Sequence, residues 1–323
     1  MSDHPVLRGY VLPGLPQPLL TPEKNPGYAR LRDAFGRVRE QIAATDADLI
    51  LVYSTMWPSV IGHQIQARPE PEWVHVDELF HDLGSIPYKF RIDSQFAAKW
   101  NEVCATRGLP TRTINYHGFP IDTGSVVTLK LINPDNRLPA VIASSNVYAD
   151  RAETVVFAKA AVEALRQTGK KAIAVIVSSL SNRFHQEFID PADDRIYSLK
   201  DHEWNLKMLE FLEAGRLEDV SQLSRQIQRE ARVRKVVNFK PFWWLASVMG
   251  PHNFYKGTVF GYEPVFGAGA AVVGLDRAAQ QARDLEFDEE DPEVYAGERN
   301  VLDTTETLSG QAGDLEEAPG AGE

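Results

Sequence analysis

Ala172-Ile173-Ala174-Val175-Ile176-Val177 is apolar at every position. Strict alternation would mark a strand with one wet face. An unbroken apolar run of this length, rich in β-branched residues, marks a strand covered on both faces, as in the central sheet of an α/β fold. Working upstream, Gly169 reads as a C-cap residue. It closes a helix predicted over residues 152–168, with Val155, Ala158, Val162 and Leu165 on one face. Before that helix, residues 138–144 read as a second strand. Strand, helix and strand at this spacing predict a right-handed crossover unit. Further upstream, Ala47-Asp48-Leu49-Ile50-Leu51-Val52-Tyr53 reads as a buried strand, ending at Ser54-Thr55 because Pro58 blocks a simple continuation. Tyr28, Leu31, Phe35, Val38 and Ile42 give the helix before it one apolar face, and Asn25-Pro26-Gly27 is a turn signal ahead of that helix. Downstream, helices are predicted over 201–214, 217–231 and 242–249, and the Gly-rich stretch 260–274 reads as a final turn and strand. There is no internal repeat. The expected architecture is α/β, one domain over residues 1–276 with a central, mostly parallel or mixed sheet flanked by helices.

Composition narrows the function class. The chain has 323 residues, 43% hydrophobic and 24% charged, with a net charge of −11. That charge is unevenly placed. Residues 284–323 hold 14 acidic residues against one basic residue, Arg299, which leaves 33 basic and 31 acidic residues for the body. A near-neutral body argues against a nucleic-acid binder, which would carry a clustered basic face. The acidic stretch 277–323 has few large apolar residues and is expected to stay disordered and solvating. No apolar run approaches the roughly 20 residues needed to span a bilayer. The start of the chain has neither a basic n-region nor an apolar h-region, and Cys104 is the single cysteine. Both point to a cytoplasmic protein without disulfides.

The chemistry-bearing residues give weak signals by themselves. Ligands in open α/β sheets bind beyond the C-terminal ends of strands, so Ser54–Trp57 and Ser178–Phe184 are candidate pocket loops. Eight histidines are present, but none forms an H-E-x-x-H pair. His75-Val76-Asp77 and His81-Asp82 read as surface loops. His117, before a Gly/Pro turn, is the histidine most suited to pocket lining. No serine sits in a G-x-S-x-G elbow, and Gly267-Ala268-Gly269-Ala270-Ala271 lacks the last glycine of a nucleotide loop. Phe239, Phe242, Trp243 and Trp244 form an aromatic cluster, read as core by default and as a subunit interface at Trp243 and Trp244 in the sharper reading.

Five ordered stretches carry a family likeness: Val52-Tyr53-Ser54-Thr55-x-Trp57, His75-Val76-Asp77-Glu78, Asn115-Tyr116-His117-Gly118-Phe119-Pro120-Ile121-Asp122-Thr123-Gly124, Ile189-Asp190-Pro191-x-x-Asp194-Arg195-Ile196, and Gly261-Tyr262 through Gly267-Ala268-Gly269-Ala270-Ala271-Val272. With them the chain resembles the class III extradiol ring-cleavage dioxygenases over about residues 8 to 276, most of all the non-catalytic subunits of the aminophenol-cleaving members. In catalytic members two His and one Glu hold Fe(II) with positions open for substrate and O2. Carried over by resemblance, the first His falls at Gly14 and the second at Met56. The Glu falls at Lys240, the acid/base His at Asn182, and the His of an Asp-His-Gly motif at Thr123. Trp57, Asp122 and His117 would line the vestigial pocket.

The resemblance therefore implies a structural or regulatory subunit with no metal site and no catalytic residue of its own. Its partner would be a β-type paralogue with an intact His/His/Glu iron site, acting on a 2-aminophenol- or catechol-like ring. Two other readings stand beside it: a stand-alone dioxygenase with a metal site rebuilt from residues such as His63, His117 and His185, and a binding protein that holds an aromatic metabolite in the vestigial pocket.

Overall fold

A computed structural model describes residues 4–217, 239–250 and 255–278. Residues 218–231 of the helix expected over 217–231, and the acidic stretch beyond 278, lie outside the described residues. The chain opens with β1 (Val6–Leu12), a short helical turn α1 (Gln17–Leu20) and α2 (Pro26–Ala43), followed by β2 (Leu49–Ser59), β3 (His63–Gln66), β4 (Glu72–Val76) and β5 (Ser85–Lys89). Then come α3 (Ser94–Thr106), β6 (Thr111–Ile114), α4 (Thr123–Ile132), β7 (Ala140–Asn146), α5 (Arg151–Thr168) and β8 (Ala172–Val177). The described part ends with α6 (Leu199–Glu213), α7 (Lys240–Met249) and the hairpin of β9 (Tyr255–Val265) and β10 (Ala268–Arg277).

Eight strands form one mixed sheet in the order β6-β3-β7-β2-β8-β1-β10-β9, and β4 and β5 form a separate two-stranded ribbon. The central strands β7, β2, β8 and β1 run parallel, while β10 and β9 join antiparallel. Alternation along β8 explains the two cores. Ala172, Ala174 and Ile176 join the cluster formed with α3, α5, α6 and α7. Ile173, Val175 and Val177 join the opposite cluster, with α2 and α4. The all-apolar run thus serves two faces at once. The expected single α/β domain with a mixed sheet is the observed fold, and β7 and β8 are parallel strands with β2 between them.

Three local expectations change. Asn25-Pro26-Gly27 is not a turn ahead of α2 but its first residues. Asn25 is the N-cap, its side chain accepts from the Gly27 amide, and Pro26 starts the helix, where its missing N–H costs nothing. Nor does β2 stop at Ser54. It runs on to Ser59 past Pro58 because its register with β7 slips between Ser54 and Pro58. Thr55, Met56 and Trp57 bulge out of the ladder with β7, so Pro58 interrupts no regular pairing. Finally, β1 sits in the middle of the sheet, although its stretch holds Arg8 and Gly9 and carried no strand expectation.

Candidate functional site

The β2 bulge carries Met56 across the carboxyl end of the sheet. Gly14 follows β1, and Gly124 lies in the first turn of α4. A Cβ placed on Gly14 would stand 2.7 Å from Met56 Sδ, from Gly124 Cα and from Val177 Cγ1. A Cβ on Gly124 would meet Val177 Cγ1 at 2.6 Å and Met56 Sδ at 2.7 Å. Two glycines, one thioether and one valine therefore close the place where the resemblance puts two ligand side chains. No side chain larger than hydrogen fits at Gly14 without displacing backbone as well as the methionine. The resemblance put Gly14 and Met56 in one place; the structure packs them against each other and adds Gly124 and Val177, which the sequence did not single out.

Beside this plug lies a polar chain. Thr123 is buried, its hydroxyl donates to Asp77 Oδ2 at 2.5 Å, and it meets His75 Nε2 at 2.6 Å. Asp77 Oδ1 in turn accepts the amides of Leu79 and Phe80. The reading of His75-Val76-Asp77 as a surface loop is thus corrected: His75 is on β4, and both residues grip the first residue of α4 across the domain. Asp122 is the N-cap of α4, accepting from the Ser125 amide at 2.9 Å and from the Ser54 hydroxyl at 2.7 Å. Its work is to tie the start of α4 to β2.

Lys240 opens α7 and is only 3% exposed. Its ammonium donates to the carbonyls of Asn146 and Val147, each at 2.6 Å, at the carboxyl end of β7. Burial pushes its pKa down, and the nearby carboxylates of Glu153 and Asp150 oppose the shift. In the same neighbourhood, Glu153 is pushed up by burial and by Asp150.

The remaining expected residues scatter. Asn182 is half-buried in the loop after β8, and Trp57 is half-buried with its ring 5.7 Å from that of Phe119. His117 is exposed, and the Gly/Pro turn after it lies on the surface. Trp244 is fully buried, stacked on Tyr53 at 5.3 Å and next to Trp100, which makes it a core residue rather than an interface one. Trp243 is only partly buried against the same core and keeps a surface face. The three histidines of the rebuilt-site reading do not meet. His63 is buried and stacked on Phe157 at 4.1 Å, His117 is on the surface, and His185 packs edge-on against Phe266.

One motif has a role the sequence did not disclose. Asp194 accepts from Tyr28 Oη at 2.6 Å, from the Phe266 amide at 2.5 Å and from the Gly267 amide at 3.1 Å. It straps the segment after Phe184 onto α2 and onto the β9–β10 turn. Gly267 stands at φ +89°, the left-handed region that such a turn requires. That turn geometry, not nucleotide binding, accounts for at least this glycine of the Gly-rich stretch.

Fe(II) in a ring-cleavage site needs hard oxygen and nitrogen ligands. The corresponding positions offer a hydrogen atom, a thioether and an ammonium, and the space between the first two is filled. The residues present do not fit the metal. Among the described residues, no group of three or more His, Cys, Asp or Glu side chains gathers as a metal site would require.

Comparisons with known proteins place this geometry in context. The chain matches a family described as the catalytic LigB subunit of aromatic ring-opening dioxygenase, over residues 15–273. It is 33% identical to a 2-aminophenol 1,6-dioxygenase alpha subunit from Pseudomonas sp over 271 residues, which cover 83% of this chain and 98% of that one. It is 29% identical to the beta subunit of a 2-aminophenol 1,6-dioxygenase, also from Pseudomonas sp, covering 87% and 100% of the two chains. In fold it is similar to a crystal structure of an uncharacterized Escherichia coli K12 protein, with a TM-score of 0.57 at 15% identity, covering 83% of this chain and 99% of that one. The chain belongs to the LigB family of aromatic ring-opening dioxygenase subunits, the class III extradiol dioxygenases.

Proposed function

We propose that this chain is the non-catalytic α subunit of a hetero-oligomeric extradiol dioxygenase. A paralogous β subunit with an intact His/His/Glu site would hold the Fe(II), and the complex would open a 2-aminophenol- or catechol-like ring with O2 in the cytoplasm. One observation carries the reading: the interlocked Gly14, Met56, Gly124 and Val177. A site that had merely exchanged ligands would keep room for a metal and two further ligands. This one is packed as an interior, so its residues act as structure. Support for the partner comes from the relatives, one of which is an alpha subunit and the other a beta subunit.

The test has two arms. The chain alone, loaded anaerobically with Fe(II) and desalted, is expected to retain no stoichiometric iron. Co-expression with a β-type paralogue is expected to yield a complex whose ring-opening activity survives Asn182→Ala and Met56→Ala. Stoichiometric iron on the chain alone would sink the proposal. So would loss of turnover in Asn182→Ala while the complex stayed assembled and iron-loaded.

A further inference from the structure

The β4–β5 ribbon has one guarded edge and one open edge. Phe90 donates to the Pro71 carbonyl and Ile92 to the Pro69 carbonyl, both across this ribbon. In an antiparallel pair, hydrogen-bonded and non-hydrogen-bonded positions alternate. The pairs Trp73↔Tyr88 and His75↔Ile86 therefore exchange hydrogen bonds. Glu72, Val74 and Val76 are left with their N–H and C=O groups turned outward, away from β5. On the far side of the ribbon the outward positions are Ser85, Pro87 and Lys89. Pro87 has no N–H, so that edge is a poor template for another strand. The edge of β4 has no such guard, and β4 has no neighbour besides β5 among the described residues.

Side chains mark the same edge. Tyr88 and Ile86 are buried, so Trp73 and His75 share the inner face with them, and Val74 and Val76 face solvent. Val74 is 56% exposed and Val76 49%, and Leu79 is exposed near them; Trp73, on the other face, is exposed as well. Lys89 lies 3.4 Å from Glu72, so the one acidic side chain of the edge is already neutralised. Apolar side chains next to open backbone groups form a surface that pairs readily with another strand.

We propose that this edge pairs antiparallel with the same edge of a second copy of the chain. The edge is symmetric about Val74. A two-fold axis there sets Val74 opposite Val74 of the second copy, and Glu72 opposite Val76. All three outward positions then meet outward positions, in register, and no like charges face each other. Three such pairs supply about six hydrogen bonds between the chains. The product is a four-stranded sheet with the two Pro87 edges outermost, which stops further strand addition. An isologous contact of this kind closes on itself. The pairing is independent of the proposed β partner and uses neither the plugged site nor Trp243.

Sedimentation of the full chain alone, over a range of concentrations, is expected to show a monomer–dimer equilibrium. Val74→Lys puts two ammonium groups opposite each other and is expected to weaken the dimer at least about tenfold. Val74→Thr keeps a β-branched residue and is expected to dimerise like the wild type. Amide exchange on the unmodified chain needs no variant. The Glu72, Val74 and Val76 amides are expected to slow as the concentration rises. A chain that stays monomeric, a dimer indifferent to Val74→Lys, or protection of these amides only after a β-type paralogue is added would each overturn the proposal.

Discussion

Two corners of the centre outlined by the family likeness disfavour a metal in different physical ways. At the Gly14 corner the obstacle is steric: Met56 and Val177 fill the space so that no Cβ fits at Gly14 or Gly124. At the Lys240 corner the obstacle is electrostatic. A cation occupies the position implied for an anionic ligand, and the site around it is fitted to a cation, with two carbonyls receiving its protons. The steric corner resists any added atom. The electrostatic corner accepts a side chain of similar length but rejects the opposite charge. Restoring one ligand type at either corner is therefore expected to damage the fold before it rebuilds a metal site.

The largest effect is expected from Lys240→Glu. It buries a carboxylate against two carbonyl oxygens, near Glu153 and Asp150, with no cation in place. Leaving a buried charge unpaired costs about 3–5 kcal/mol. Lys240→Met keeps the length, removes the charge and strands only the two carbonyls, at about 1–3 kcal/mol. Chemical denaturation of both variants checks the order. If the glutamate variant is no less stable than the methionine variant, the corner is not built for a cation.

Gly14→Ala comes next. One methyl group must displace Met56, Val177 and the Gly124 backbone, and overpacking of this kind costs about 1–3 kcal/mol. The comparison is sharpened by repeating Gly14→Ala in a Met56→Ala background. Removing the thioether frees one of the three obstructing contacts, so the methyl group should cost less there, with a coupling of about 0.5 kcal/mol or more. Strict additivity would mean that Met56 does not fill the corner.

Thr123→Val tests the chain that braces α4 between the two corners. The substitution keeps the shape and removes both hydroxyl contacts, to Asp77 and to His75. Asp77 retains its two backbone donors, so the loss should stay near 1–2 kcal/mol. An unchanged denaturation midpoint would show that the hydroxyl bears no load.

What the sequence disclosed follows from burial. β7, β8 and the first half of β2 are apolar stretches at the centre of the sheet, and the periodic helices α2 and α5 pack against them; all of these were legible. β3, β4, β5 and β6 were not, because they are short and β4, β5 and β6 are partly exposed, which leaves no apolar run to read. α3 and α4 were missed although each begins on an aspartate N-cap, Asp93 and Asp122, a signal the sequence did carry. The vestigial positions were legible only through the family likeness, since Gly14, Met56 and Lys240 have no motif of their own. The likeness could place them together but could not show that they interlock. His117 and Trp244 were decided by tertiary packing: His117 lies exposed, and Trp244 takes the core reading rather than the interface one.

The effect that is smallest at neutral pH concerns His63, which lies on the electrostatic side. It is 1% exposed, and its ring nitrogens have no well-formed hydrogen bond among the described residues, only a backbone contact with Ser144. Burial above all, opposed by a backbone contact with Ser144 and aided by the Lys240 charge, pushes its pKa down to about 3 from the usual 6.5. The folded chain thus keeps His63 neutral where the unfolded chain takes up a proton. The unfolded state binds more protons between about pH 6.5 and 3, so stability falls as the pH drops through that window, by up to about 1.4 kcal/mol per pH unit for this one group. Burial also holds His4 low, at about 4, and it adds a slope of the same sign in an overlapping range. His63→Leu should leave stability near neutral pH within about 1 kcal/mol of the parent, because it removes an unpaired polar ring from an apolar stack. It should also make the fall between pH 6.5 and 4 shallower by close to one proton. Denaturation midpoints of parent and variant across that range check both statements. Parallel pH profiles would mean that His63 already carries its proton in the folded chain, and that the Lys240 corner tolerates a second buried charge.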